Sequence, residues 1–284
     1  MRLQKRIAAI HDISCLGKCS LTVALPIISA AGIETSVIPT AVLSTHTGGF
    51  TGYTFRDLTE DIAPIAAHWK SLDIGFDAIY TGYLGSIEQV EIVAEVIKSL
   101  RGEDTLLVVD PVMADDGKLY VSFPPEFPEE MKKLCRMADV IVPNMTEAAL
   151  LLNRKYKKGP YAKEYVEEIL KALAELGPKK IVLTGVCFDD TRLGAASYDV
   201  ESGSIEYAFE NTVPGLYHGT GDVFASALVS GLVKGKTLEQ SCRLAVSFTA
   251  KSIERTKAAG TPAHFGVNFE EELLGFMSDL GIKD

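Results

Sequence analysis

Apolar residues along this chain recur in two alternating rhythms, short continuous runs and longer stretches with helical spacing. RIAAIHD at 6–12 reads as a first strand, and SLTVALPIISAAG at 20–32 as a helix that Gly32 stops. IETSVIPTAVL at 33–43 reads as a second strand, followed by the polar, glycine-rich STHTGGFTGY at 44–53. Over 57–71, Leu58, Ile62, Ile65 and Trp69 keep helical spacing, with Trp69 as core filling. DAIYTGYLG at 77–85 reads as a strand entering a loop, and Ser86 with Gln89 predicts a capping box for a helix through Leu100. The pattern continues as TLLVVDPV (105–112), ADVIVPN (138–144), a helix from Thr146, a helix over 162–176 and KKIVLTG (179–185).

Strands alternating with helices predict an α/β fold of three layers, with a mostly parallel central sheet covered on both faces. Two stretches depart from the alternation. RLGAASYDVESGSIEYAF at 192–209 reads as two strands around a Ser-Gly turn, hence a small β-hairpin, and two helices follow over about 220–233 and 237–255. No linker rich in Pro, Gly or Ser divides the chain and no internal repeat is present, so a single domain over 1–284 is expected.

Composition narrows the function classes. With 284 residues, 47% hydrophobic and 23% charged, and Gly (24) and Pro (12) making about an eighth of the chain, the protein is globular. Lys plus Arg is 28 against 38 for Asp plus Glu, a formal charge of −10. Nonspecific binding of nucleic acid draws on phosphate neutralisation by basic residues, so nucleic acid is not expected as a partner. No apolar stretch approaches a membrane span, and the apolar run before Asp12 is too short for a signal sequence. The five scattered cysteines (15, 19, 135, 187, 242) are expected as reduced thiols of a cytoplasmic protein. Cys15 and Cys19 lack a second pair at zinc-site spacing.

Ligands of open parallel sheets sit beyond the carboxyl ends of the strands. The polar residues there are Asp12 and Ser14, Ser44 to Thr47, Gly82 and Tyr83, Asp110, Asn144 and Glu147, and Thr184 with Gly185. The sharpest motif is His218-Gly219-Thr220-Gly221-Asp222 ahead of the apolar VFASALVSGLV. Two glycines one residue apart let the backbone turn tightly at a helix start, whose free amides then form an anion site. An aspartate there either caps the helix or acts as a general base for a hydroxyl attacking a phosphoryl group. Gly17-Lys18 fails as a P-loop, because Asp12 and Cys19 stand where Gly and Ser or Thr are required, and no dinucleotide fingerprint follows the first strand. Asp110, at the end of its strand, is placed to organise Mg²⁺. Asn144 and Glu147 are either ligand contacts or a helix cap with an early glutamate. His46 sits in an irregular run that needs no histidine, which favours a ligand contact, whereas His68, His264 and the acidic EFPEEM read as surface.

Taken jointly, STHTGGFTG (44–52), TGYLGS (81–86), VVDPVMADDGKLYV (108–121), ADVIVPNMTEAALL (138–151) and GTGDVFASAL (219–228) resemble the ribokinase-like superfamily. Within it, His46-Thr47, Gly-Tyr-Leu-Gly at 82–85 and Asp-Pro-Val at 110–112 resemble the kinases of vitamin B6, which phosphorylate pyridoxal, pyridoxamine and pyridoxine. The resemblance implies Asp222 as catalytic base, with Gly219, Thr220 and Gly221 forming an anion hole. It implies Asp110 and Glu147 around Mg²⁺ and ATP, with Asn144 nearby, Asp115 or Asp116 and Tyr120 over the phosphates, and Thr184 beside the nucleotide. The B6 vitamer would lie against Asp12, His46, Thr47, Tyr83 and Asp222. A monovalent cation and a homodimer belong to the same expectation. These kinases commonly carry serine at the position of Asp12, and a carboxylate there implies a bias toward pyridoxamine. A hydroxymethylpyrimidine kinase shares the superfamily motif and is the nearest rival. A noncatalytic protein binding a B6 vitamer or a nucleotide is the rival from another class, although pure binding gains nothing from Asp222.

Overall fold

The two hydrophobic rhythms are realised as one nine-stranded sheet and its covering helices in a computed structural model that describes residues 4–282. Residues 1–3 and 283–284, part of the predicted 1–284 domain, lie outside the described residues. The first half comprises β1 (Arg6–Ser14), α1 (Leu21–Ala30), β2 (Glu34–Leu43), β3 (Phe55–Asp57), α2 (Thr59–Ser71), β4 (Ala78–Thr81), α3 (Ile87–Leu100) and β5 (Leu106–Val109). A two-stranded ribbon, β6 (Ala114–Asp115) and β7 (Lys118–Leu119), precedes α4 (Phe127–Met137), β8 (Val140–Ile141), α5 (Met145–Leu151) and α6 (Lys163–Ala174). The chain then forms β9 (Lys180–Val186), β10 (Arg192–Asp199), β11 (Ser204–Asn211), α7 (Thr220–Val233), α8 (Leu238–Ala258) and α9 (Leu273–Leu280).

The sheet order is β11-β10-β9-β8-β5-β4-β1-β2-β3. The strands from β9 to β2 run parallel, as the alternation predicts. Antiparallel β3 closes one edge and the predicted hairpin, β10 with β11, closes the other. Period-two alternation sends successive side chains into separate cores. Leu107 and Val109 pack with Ile62, Val93, Leu134, Ala148 and Leu170 from α2 to α6. Val108 packs on the other face with Val23, Leu228, Ala245 and Phe276 from α1, α7, α8 and α9. The result is the expected three-layer α/β/α arrangement.

Several local expectations change. EFPEEM is the start of α4, an amphipathic helix that buries Phe127, Met131, Leu134 and Cys135 and leaves Glu129 exposed. Ser86 accepts from the Gln89 amide at 3.2 Å, but the Gln89 side chain reaches past the cap to the Gly85 amide, 2.7 Å away, so the box is half formed. β3 is three exposed residues, Phe55 the one apolar among them, and it pairs along Ala41 to Leu43 of β2. His264 is half-buried against Phe50, with ring centroids 5.0 Å apart, rather than a surface residue. The helix expected from Thr146 begins at Met145. The cysteines, by contrast, are as expected: all five are free thiols.

Candidate active site

The carboxyl ends of the parallel strands bring two groups of carboxylates together. The first begins at Asp12. Opposite β1, the ladder shifts register between His11, which faces Pro39, and Ile13, which faces Val42. The extra residue on β2 lies beside a proline that cannot donate to the ladder, and such bulges re-aim side chains at strand ends. Asp12 is buried and accepts from Ser14 Oγ at 3.0 Å and Ser20 Oγ at 2.5 Å. Burial raises its pKa and the two hydroxyls oppose the rise. Ser20 is a non-glycine residue at φ 55°, and its backbone amide donates to Asp222. One residue therefore holds both carboxylates.

Asp222 lies in the first turn of α7. Gly219 caps that helix at φ 74° and ψ 2°, with no side-chain hydrogen bond, and a Cβ there would stand 1.9 Å from the Lys18 carbonyl oxygen. Only glycine fits so close an approach at positive φ. Val223 N–H reaches back to Gly219 O at 3.1 Å, so the amides of Thr220, Gly221 and Asp222 lie outside the helical ladder. Thr220 Oγ donates to Tyr217 O at 3.3 Å, and a Cβ on Gly221 would meet open space. Burial pushes the Asp222 carboxyl up to about 7, the Ser20 amide opposes this, and the charge of Asp12 adds to it.

The second group is Asp110 and Glu147. Asp110 is buried past the end of β5, and its pKa is pushed well up by burial, then by the charges of Glu147 and Asp222. Glu147 accepts from the Asn144 amide at 2.8 Å and the Met113 amide at 3.1 Å, and burial outweighs these bonds to raise its pKa. Asn144 Oδ1 accepts from the amides of Thr146 and Glu147 at 2.8 and 2.9 Å, completing a capping box on α5. The structural alternative for this pair is therefore present in the fold. Asn144 Nδ2 also donates to Ala114 O at 2.9 Å, and Gly117 N–H to Thr146 Oγ at 3.0 Å, which fastens the β6–β7 ribbon over α5. Asp115 and Tyr120 ride on or beside this ribbon, and the Tyr120 hydroxyl is held protonated by burial and by Glu147, Asp115, Asp110 and Asp222. Thr184 bridges to Asn144, its amide donating to Pro143 O at 3.0 Å.

Among the described residues no cluster of three or more His, Cys, Asp or Glu closes a metal cage. Mg²⁺ takes one or two carboxylates and fills its remaining positions with water and phosphate oxygens. Asp110 and Glu147, whose charges oppose one another in a buried site, fit that donor set.

The predicted ring contacts divide. Tyr83 lies over Phe123 with centroids 5.6 Å apart, and its hydroxyl senses Asp12. Thr47 is exposed on the loop after β2. His46 uses both ring nitrogens internally, Nδ1 accepting from the Gly48 amide at 3.1 Å and Nε2 bonding to His264 O at 2.7 Å. It organises the loop and offers a ligand its ring rather than a nitrogen. Lys18, the failed P-loop lysine, is spent on Asn268 at 2.8 Å and Glu270 at 2.9 Å.

Sequence reasoning missed Ser20 and a groove of about 480 Å³ lined by Asn211, Thr212, Val213, Pro214, Glu254, Lys257 and Ala258. The polar break after β11, just ahead of the glycine turn, was the available signal for the groove.

A family model described as phosphomethylpyrimidine kinase matches residues 25–268. A protein from Bacteroides thetaiotaomicron, provisionally named a phosphomethylpyrimidine kinase and solved with pyridoxal, superposes with a TM-score of 0.90 at 38% identity, covering 96% of each chain. Pyridoxal kinase from Lactobacillus plantarum superposes with a TM-score of 0.88 at 32% identity, covering 96% of this chain and 97% of its own. Pyridoxal kinase from Arabidopsis thaliana is 29% identical over 239 residues, 79% of this chain and 74% of that protein.

Proposed function

The chain belongs to the phosphomethylpyrimidine kinase family, and from that premise we propose that it transfers the γ-phosphoryl group of ATP to the 5′-hydroxyl of a B6 vitamer. The observation that carries the reading is the uncapped start of α7 with Asp222 beside it, an anion site and a proton acceptor in one turn. The pyridoxal kinase names of two relatives, and the pyridoxal bound by a third, support a vitamer over a pyrimidine.

In this reading Asp222 takes the proton of the vitamer hydroxyl as its oxygen attacks the γ-phosphorus. The new O–P bond forms while the bond to the β,γ-bridging oxygen breaks, and ADP leaves with that electron pair. The amides of Thr220, Gly221 and Asp222 hold the charge that builds on the moving phosphoryl. Asp110 and Glu147 would hold Mg²⁺, which when bound would supply charge neutralisation on the ATP phosphates. Asn144 and Thr184 border the nucleotide, and Asp115 and Tyr120 cover the phosphates. Tyr83, Thr47 and the ring of His46 line the vitamer pocket. Asp12, with Ser14 and Ser20 on its oxygens, meets the ring nitrogen or the amine of pyridoxamine. Exchange of Asp12→Ser is expected to reduce the preference for pyridoxamine, and equal efficiencies on all vitamers before and after would remove the bias.

The deciding experiment is ADP production with pyridoxal, pyridoxamine, pyridoxine and hydroxymethylpyrimidine. Turnover of the vitamers at least tenfold above the pyrimidine is expected, and the reverse order would assign the pyrimidine kinase instead. The resemblance also supports a homodimer, which sedimentation would read directly. No helix among the described residues is long and apolar enough to cross a membrane.

A further inference from the structure

His218 precedes the anion turn and takes no part in the reaction proposed for Asp222. Its amide donates to Ala263 O at 3.4 Å, whereas its ring nitrogens make no hydrogen bond among the described residues. That contrasts with His46, whose ring lies 5.4 Å away and has both nitrogens engaged. The two imidazoles are neighbours with opposite states, one consumed by the loop and one available.

The His218 ring has neighbours on two sides. A Cβ on Gly48 would stand 2.6 Å from His218 Nδ1, and one on Gly49 would stand 3.6 Å from Nε2. Those glycines thus leave the space that the ring fills beneath the loop expected to close on the vitamer. From the other side, Asp115 on the β6–β7 ribbon is near enough to act on the ring's charge, as is His264. The imidazole therefore stands between the vitamer loop and the phosphate ribbon, two residues before Thr220, the first residue of α7. Half-burial lowers its pKa and favours the neutral ring, which carries one N–H donor.

We propose that His218 is a catalytic residue that donates an N–H to a non-bridging oxygen of the phosphoryl group in flight, completing the anion hole with a side chain. The inference rests on the kinase reading above. Bond changes are those already given, and no proton leaves His218, which contributes one hydrogen bond that strengthens as charge builds on the equatorial oxygens.

Steady-state kinetics on the full-length enzyme test this with ATP and the best vitamer. His218→Ala is expected to lower kcat by about 10²-fold, the scale of one lost donor of this kind, with KM for ATP and vitamer within about threefold. His218→Gln, which restores an N–H, is expected to recover at least fivefold of that loss. Calorimetric ADP affinity, unchanged in both variants, reports that the nucleotide site is intact. A kcat within threefold of the parent in His218→Ala overturns the proposal, as does a Gln variant no better than Ala or an equal loss of ADP affinity. If the parent enzyme phosphorylates no vitamer and no pyrimidine, the kinase reading falls and this proposal with it. Parental turnover with an indifferent His218→Ala removes only the proposal.

Discussion

Two helices begin at the same edge of the sheet and treat their first amides in opposite ways. At α5, Asn144 and Glu147 close a capping box, so the helix satisfies its own amides and its polar side chains tie down the neighbouring ribbon. At α7, a left-handed glycine supplies no side chain, and the amides that follow stay open to the cleft. Both starts favour negative charge through the helix dipole. The difference is whether that charge comes from the protein or from a ligand. A capped start is finished as structure, while an uncapped one with a buried carboxylate beside it is arranged for something else to complete it.

That contrast is best broken at Asp222. Asp222→Asn is expected to lower kcat by about 10²–10⁴-fold, the range of a positioned general base, with ADP affinity measured by calorimetry nearly unchanged. Near-parental kcat would reduce Asp222 to a cap, making the two helix starts alike. Next in size is Gly219→Ala, where the new methyl meets the Lys18 carbonyl at positive φ. It should cost about 10²-fold in turnover and several degrees in Tm. Parental Tm and activity would show that the turn has slack.

Gly221→Ala sharpens the comparison, because the methyl enters open space and alanine is the better helix former by about 1 kcal/mol. Thermal stability should hold or rise while KM for ATP or kcat worsens by about tenfold, a split that only an anion site would produce. The pH profile comes after it. The Asp222 carboxyl, raised to about 7, must be ionised to accept a proton. Accordingly kcat/KM should fall about tenfold per pH unit below 7 and level off above it, and a flat profile from 5.5 to 8 would exclude Asp222 as base. The smallest effect belongs to the closed start. Asn144→Ala should cost about 1–2 kcal/mol of stability, read by denaturant unfolding, since it removes a cap and the tether to Ala114.

The chain discloses its folding units and its anion turn more readily than its wiring. Parallel strands were legible because buried β runs such as LLVV are apolar on both faces, and the turn because only glycine tolerates its geometry. Helix α4 was obscured because its apolar positions are interleaved with acidic ones. Ser20 was invisible for a different reason. Its two contacts join residues that are near neighbours only in three dimensions, and one of them uses a backbone amide that any residue carries. The same holds for His264, which serves His46 through its carbonyl oxygen. Interactions made through the backbone leave no compositional mark.

The bifunctional hold of Ser20 also constrains how this enzyme can change. Because its hydroxyl grips Asp12 while its amide steadies Asp222, the groups to which the proposed reaction assigns recognition and reactivity share a single joint. In the proposed reaction, an exchange at position 12 that retunes which ring is preferred also disturbs Asp222, the carboxylate proposed to take the proton of the 5′-hydroxyl. Selection for a new substrate would then travel through Ser20 before it reached the chemistry, and variants of altered taste should emerge slow until a second substitution resets that joint.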